Sequence, residues 1–402
     1  MKNRWLNGAL PAVLIHVSVG SIYAFSVLTK HIMENTGVGD KGTVTWIFSI
    51  AILFLGMSAA FLGNTVEKIG PRKSAFICCF FYGTGFIGAG IAALLCNLPL
   101  FFLFYGVLGG IGLGVGYITP LKTLMRWFYD RKGFAAGIAV MGFGFAAMIA
   151  GPVMEALIEA IGLARMFFVT GFCYMVFIAG AALLISPPPK GYEKPGTGAA
   201  QDVQRKQYTT AQAVRTPSFY ALWFMFFVNI SGGISLLPVA SPMLQDKFPL
   251  VMTAAASAAV VGIISLCNGL GRIGWSSLSD ILGRPAVFSG FLLLQSGLFL
   301  GLAFTDNHIV FQFFLFAIAS CYGGGFACMP AYLSDMFGVQ HVSAIQGRIL
   351  TAWACAGIAG PAFTNWAVKT SGGYTSAFIG ISIALVLAFS VSVITAKRHS
   401  PR

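Results

Sequence analysis

The most chemically pointed residue in the chain is Arg272, in the stretch SLCNGLGRIGWSSLSD. Ser265, Asn268, Arg272 and Ser276 are spaced 3, 4 and 4 residues apart. On a helix that spacing makes one polar stripe. Asp280 closes the segment, so Arg272 lies about 12 Å inside the helix end at 1.5 Å per residue. A guanidinium presents a planar fork of donors that matches a carboxylate. A cation at that depth in an apolar segment is costly and belongs beside a water-filled cavity rather than lipid. The alternative, a side chain that snorkels to the membrane surface, does not account for the stripe. No internal acid is placed to neutralise it. Of the twelve acidic residues, Glu34, Asp40, Asp246 and Asp306 fall in loops of one side. Glu67, Asp130, Glu193, Asp202 and Asp280 fall in loops of the other, and Glu155, Glu159 and Asp335 sit near helix ends. Arg272 is therefore expected to meet an anionic ligand, with Asn268 orienting it.

Other polar groups stand at similar depth. Tyr117 lies in GLGVGYITP and Tyr322 in SCYGGGFACMP. A phenol can donate to a carboxylate while its ring lines an apolar wall, although helix packing alone also uses such tyrosines. Tyr23 is similar but nearer the outer side, and Tyr374 more so. Phe143, beside Gly144, is a candidate apolar wall. His16 is the histidine set well inside an apolar run. It is a candidate cavity-lining or proton-carrying group, because imidazole titrates near physiological pH.

The elements that must position these residues follow from composition. The chain has 402 residues, 57% hydrophobic and 9% charged, with 49 glycines; a typical soluble domain carries about 25% charged residues. An ordinary soluble enzyme, a disordered chain and a nucleic-acid binder are all excluded. The formal charge of +13 sits in short gaps between long apolar runs, a membrane-protein pattern. About 20 apolar residues span the hydrocarbon core, and twelve such runs occur, from Leu10–Leu28 to Ala377–Thr395. The tenth is read as Ile309–Leu333 and the eleventh as Ile349–Val368. The first, lacking a cleavage site, reads as a retained helix. If the N-terminus is cytoplasmic, nineteen Lys and Arg fall on the cytoplasmic side and five outside, so both termini are expected in the cytoplasm of a cell whose inner membrane holds the chain. The eight cysteines lie almost entirely in apolar runs without a CxxC pair and read as buried hydrophobes.

Six runs precede and six follow the Pro-, Gly- and charge-rich stretch Ser186–Arg215. The expected organisation is an all-α membrane protein of two six-helix halves, 1–185 and 216–402, joined by a cytoplasmic linker, 186–215. The halves repeat each other. At a shift of 213 residues His16–Gly20 falls on Asn229–Gly233 and Glu67–Gly70 on Asp280–Gly283; at 210, Pro120 and Gly137 fall on Pro330 and Gly347; at 209, Gly151-Pro152 falls on Gly360-Pro361. Asn229 thus joins His16 as a polar candidate at one level. A parallel repeat of two halves indicates a transporter that rocks about a central site.

The loop sequences GNTVEKIGPRK and SSLSDILGRP resemble the cytoplasmic loop signature of the major facilitator superfamily, with Glu67 in the first copy where that signature usually has Asp. GSIYAFSVLTKHI, TPSFYALWFMFFVNISGG, WFYDRKGFAAGIAVMGFG and GRILTAWACAGIAGP resemble the oxalate/formate antiporter family, which is related to the monocarboxylate transporters. The resemblance covers nearly the whole chain outside the linker. It implies twelve helices, alternating access, and gating by Glu67, Arg72, Asp280 and Arg284, loop charges that bind helix ends across the interface between halves. It also implies substrate binding by an arginine of the eighth helix, matched by Arg272, together with a lysine of the eleventh. No lysine stands inside ILTAWACAGIAGPAFTNWAV; Ala354, Cys355 and Ala356 occupy the expected depth. One fixed positive charge suits one carboxylate, which favours a lactate- or pyruvate-like monocarboxylate over oxalate.

No GxxxxGKS, HExxH or metal-ligand cluster occurs, and GIGLGVG lies inside an apolar run with no preceding strand. No cofactor, metal or nucleic-acid partner and no catalytic activity is expected. The expected partners are a small organic anion, protons and the bilayer. The expected mode is proton-coupled symport by a monomer, because an anion entering against an inside-negative potential pays about 2.3 kcal/mol per charge per 100 mV. Exchange of organic anions is the alternative.

Overall fold

The computed structural model describes residues 3–189, 192, 207–236 and 240–399. Of the expected linker, residues 190–191 and 193–206 lie outside the described residues, as do Lys2 and Arg402 of the basic-residue count. The described residues contain helices and no strand. Twelve helices among them are long and apolar enough to cross a membrane: α1 Trp5–Thr36, α2 Gly42–Ile69, α3 Pro71–Leu94, α4 Leu98–Trp127, α5 Lys132–Ile161, α6 Leu163–Leu184, α7 Pro217–Leu236, α8 Ala259–Leu282, α9 Arg284–Phe304, α10 His308–Phe337, α11 Val342–Ser371 and α12 Thr375–Ala396. Large apolar side chains such as Phe61, Phe80, Phe172, Leu183, Phe304 and Ile383 are exposed on the bundle surface. Such a surface is stable only against lipid.

The main helix pairs repeat with a period of six helices. α3 packs on α6 as α9 packs on α12; α1 packs on α5 as α7 packs on α11; α2 packs on α4 as α8 packs on α10. The two sets of six meet along α5–α8 and α2–α11, which exchange roles under the same repeat. Both contacts depend on small residues. A Cβ on Gly144 of α5 would stand 2.3 Å from the Gly269 Cα of α8, and one on Gly347 of α11 would stand 2.1 Å from the Ala59 carbonyl oxygen of α2. Larger side chains there would force the halves apart.

Helix ends follow local chemistry. Asp40, Asn97 and Asn307 accept backbone N–H groups at the starts of α2, α4 and α10. Gly70 and Gly283, repeat mates in the two loop signatures, have φ of 82° and 87°, a conformation open to glycine at little cost. α10 and α11 begin or end beyond their apolar runs, because Ser334, Ser343 and Gln346 are buried between helices. Hydropathy ends a segment at such residues, whereas packing does not. α1 tightens into a 3-10 turn at Ser21–Ala24, which carries Tyr23.

Candidate functional site

α8 shows both of its faces. Asn268, Arg272 and Ser276 are buried while Leu266, Leu270, Leu278 and Ile281 are exposed. The polar stripe therefore points into the protein, at the crossing of α5 and α8. There the close approach at Gly144 brings the α5 backbone within reach of Arg272. Its Nη1 donates to the Val140 carbonyl of α5 at 3.0 Å, and its Nε donates to Asn268 Oδ1 at 3.2 Å. Arg272 is fully buried, and among the described residues its Nη2 has no hydrogen-bond partner and no carboxylate pairs with it. Solvation is replaced in part by aromatic faces, with the guanidinium carbon 4.9 Å from the Phe326 ring centre and 5.9 Å from that of Phe143. Cation–π contacts of this kind compensate part of a desolvated charge, but Nη2 makes no hydrogen bond of ordinary length, although the Tyr23 hydroxyl stands close to the guanidinium.

An aromatic cage lies beside this guanidinium. Tyr117 lies 5.4 Å from Phe143 and 5.8 Å from Trp353, centre to centre, and Trp353 lies 4.6 Å from Phe326. Tyr23 reaches Trp353 and Phe143, and its hydroxyl meets that of Tyr322 at 3.0 Å, joining α1 to α10 across the halves. Two more donors in the cage are buried without a partner, the Tyr117 hydroxyl and the Trp353 indole N–H. A buried polar group left unpaired costs about 1–3 kcal/mol. Three such donors within one aromatic cluster leave unmet hydrogen-bonding capacity of the kind an acceptor-rich anion would satisfy.

His16 borders the cage, 5.4 Å from Tyr117 and 5.6 Å from Phe143, ring to ring. Its Nδ1 faces the Ala12 carbonyl at 3.0 Å and its Nε2 the Tyr117 carbonyl at 3.2 Å. A neutral imidazole has one N–H, so only the doubly protonated ring donates to both. Thus Arg272, Asn268, Tyr117, Tyr322, Tyr23, Phe143 and His16 are brought together. Two candidates lie elsewhere. Asn229 donates to Gln295 at 3.1 Å and to the Cys321 carbonyl at 3.4 Å, within the second six helices. Tyr374 lies between α11 and α12, stacked on Phe378; burial, together with the Asp246 carboxylate, raises its pKa.

Trp353 and Phe326 escaped the sequence reading. Both count as apolar, and 37 phenylalanines conceal any one of them. A tryptophan inside a glycine- and alanine-rich helix was the available signal, since its N–H needs a partner wherever it is buried.

The loop charges form two latches at the opposite, linker-bearing end of the same interface. Asp280 at the end of α8 accepts the N–H groups of Gly133 and Phe134, both at 2.9 Å, at the start of α5. Arg284 holds that carboxylate at 2.5 Å and also binds Asp335 at 3.1 Å. Glu67 near the end of α2 accepts the Ala344 N–H at 3.1 Å and His341 Nδ1 at 3.0 Å, at the start of α11. Each acid sits on a helix N-terminus of the other half, where the helix dipole favours it. Arg72 does not cross between halves; it donates to the Leu183 carbonyl of α6 at 2.8 Å.

Comparison with known proteins bears on the family and the fold. The sequence model of the Major Facilitator Superfamily matches residues 10–274 and 222–402. The oxalate:formate antiporter of Oxalobacter formigenes is 27% identical over 404 residues, covering 99% of this chain and 93% of that one. The apicoplast pyruvate carrier 1 of Toxoplasma gondii is 24% identical over 505 residues, covering 100% and 91%. Among solved structures, the fucose:proton symporter FucP of E. coli superposes with a TM-score of 0.73 at 14% identity, covering 96% of this chain and 98% of that one.

Proposed function

The chain belongs to the major facilitator superfamily of multi-pass membrane transporters, and from that premise we propose that it carries a small monocarboxylate of the lactate or pyruvate type by proton-coupled symport. One observation carries the reading: Arg272, fully buried where the halves meet, keeps a free donor nitrogen and has no acidic partner among the described residues. The carboxylate would sit on Nη2, with the Tyr117 hydroxyl and Trp353 N–H as further donors. Phe143 and Phe326 would face its short carbon chain, and Tyr23 with Tyr322 would close the site across the halves. Asn268 and the Val140 carbonyl hold the guanidinium in place. A single fixed cation suits one carboxylate rather than two. The two relatives named for pyruvate and for oxalate and formate support an organic-acid substrate.

For coupling we assign the proton to His16, whose two ring nitrogens face two carbonyls. Arg272 and His16 flank the same Phe143 ring, so an anion on Arg272 offsets the positive field at the imidazole. Proton and anion would then travel together, and the pair would cross without net charge. Glu67, Asp280 and Arg284 would act as the cytoplasmic gate, releasing α11 and α5 as the halves rock. We assign this end, and both termini, to the cytoplasmic side of an inner membrane, a reading that the bias of Lys and Arg toward these loops supports.

Purified protein in liposomes, offered labelled lactate, pyruvate, formate and oxalate, tests the reading. Symport predicts lactate or pyruvate uptake driven by an inward proton gradient with empty vesicles. Uptake that requires internal anion and ignores the gradient would establish exchange instead. A strong preference for oxalate would refute the single-charge argument.

A further inference from the structure

At the linker-bearing end of the protein lies a recess of about 670 Å³ that the transport site does not use. Asn64 of α2, Thr210 of the short helix Thr210–Ala213, Tyr220 and Trp223 of α7, and Arg348 of α11 line it. It therefore spans both halves and the end of the linker. Thr210 donates to Asn64 Oδ1 at 3.0 Å, and Trp223 donates its indole N–H to Thr351 at 2.8 Å. These bonds brace the walls. Arg348 is treated differently. Its guanidinium lies 5.2 Å from the Phe61 ring centre, and among the described residues no carboxylate pairs with it. Glu67, one turn along α2 from Asn64, is already committed to Ala344 and His341. The rim is aromatic and faces outward, with Phe61 62% and Tyr220 60% exposed.

We propose that this recess binds a phosphate-bearing anion, the headgroup of an acidic phospholipid from the cytoplasmic leaflet. The leaflet assignment rests on the topology proposed above. A guanidinium free of acid is a bidentate phosphate ligand. Exposed aromatic rings beside a cation mark the headgroup level of a bilayer, and basic pockets between helices on that side recognise acidic headgroups. The Asn64 amide NH2, whose oxygen accepts from Thr210, supplies a neutral donor. A lipid here touches α2 on one side and α7 and α11 on the other, so it would hold the cytoplasmic ends together and favour the closed gate.

The full-length protein in detergent, titrated with phosphatidylglycerol and, separately, with phosphatidylcholine, tests this by native mass spectrometry and thermal unfolding. Phosphatidylglycerol should bind and raise the unfolding temperature, and Arg348→Gln should weaken that binding by about tenfold, the loss of one charge-assisted contact. Lys73→Gln, which removes a cation from the start of α3, should leave it unchanged. A third titration uses glycerol phosphate without acyl chains. An Arg348-dependent shift from it alone would identify a soluble phosphate as the source of the same chemistry. Equal affinity of folded wild-type and Arg348→Gln protein for both probes would overturn the proposal. Should Arg348→Gln not fold, a photoactivatable phosphatidylglycerol on the wild type decides. Crosslinks to the α7 and α11 segments around Tyr220 and Arg348 support the site, and crosslinks confined elsewhere overturn it.

Discussion

Replacing Arg272 should separate stability from transport in a direction that only an unpaired cation explains. The side chain is fully buried and makes two hydrogen bonds, to Val140 and Asn268, while Nη2 makes none. Burying a charge without an opposite charge is expensive, and even a buried ion pair can be replaced by apolar residues of similar volume without loss or with a gain of about 1–4 kcal/mol. Arg272→Met should therefore leave the ligand-free protein as stable as the parent or more so, read from its thermal unfolding. Under the proposed function the same change removes the anchor for the carboxylate. An anion then buried unpaired loses about 3–5 kcal/mol, which at 1.4 kcal/mol per decade is more than a hundredfold in affinity. Saturable uptake in liposomes should vanish. Arg272→Lys keeps the charge but offers one nitrogen to three acceptors, the Val140 carbonyl, Asn268 and the substrate. Losing one charged hydrogen bond of about 1.5–3 kcal/mol predicts substrate binding roughly 10- to 100-fold weaker. Parallel measurements of binding by calorimetry and of unfolding temperature check both halves of the argument. Wild-type affinity in the Met variant, or a collapse of its ligand-free stability with the Lys variant intact, would show that Arg272 is structural and refute the reasoning.

Four further outcomes follow from the same geometry. Trp353→Phe keeps the ring contacts with Phe326 and Tyr117 but removes the free N–H, so substrate affinity should fall by about two- to tenfold, at about 0.5–1.5 kcal/mol per neutral hydrogen bond, with unfolding unchanged. His16→Gln should abolish acceleration by a proton gradient while sparing counterflow between anion pools; retained gradient drive would exonerate the histidine. Asp280→Asn removes the charge that holds the α5 N-terminus, a contact of up to about 2 kcal/mol. Spin-label distances between the linker-side ends of α5 and α8 should shift toward a wider separation. Gly144→Ala places a methyl carbon 2.3 Å from the Gly269 Cα and should lower both unfolding temperature and flux, whereas the same change at Gly290, where nothing lies within 4 Å, should be tolerated.

The sequence by itself determined the broad architecture. Apolar runs of membrane length, broken by basic loops, leave helices as the only way to satisfy backbone hydrogen bonds in lipid. The offset of about 210 residues forecast the sixfold periodicity of helix pairing. Arg272 was legible because a charge inside a greasy segment is too costly to be incidental, and Asn268 because it shares the stripe. Other assignments needed the tertiary structure, since they depend on which faces meet. Trp353 and Phe326 look like packing residues until α10 and α11 bring Phe326 against the Arg272 guanidinium and Trp353 against Phe326 and Tyr117. Asn229, equal to His16 by repeat position, instead finds Gln295 inside its own half, and Arg72 turns to α6. Likewise, nothing along the chain distinguishes Arg348 from the basic residues of neighbouring loops; the fold sets it against the Phe61 ring, whereas Arg284 meets two carboxylates. Local sequence records what a residue prefers, but whether a buried donor keeps or lacks a partner is decided by helices far apart in the chain.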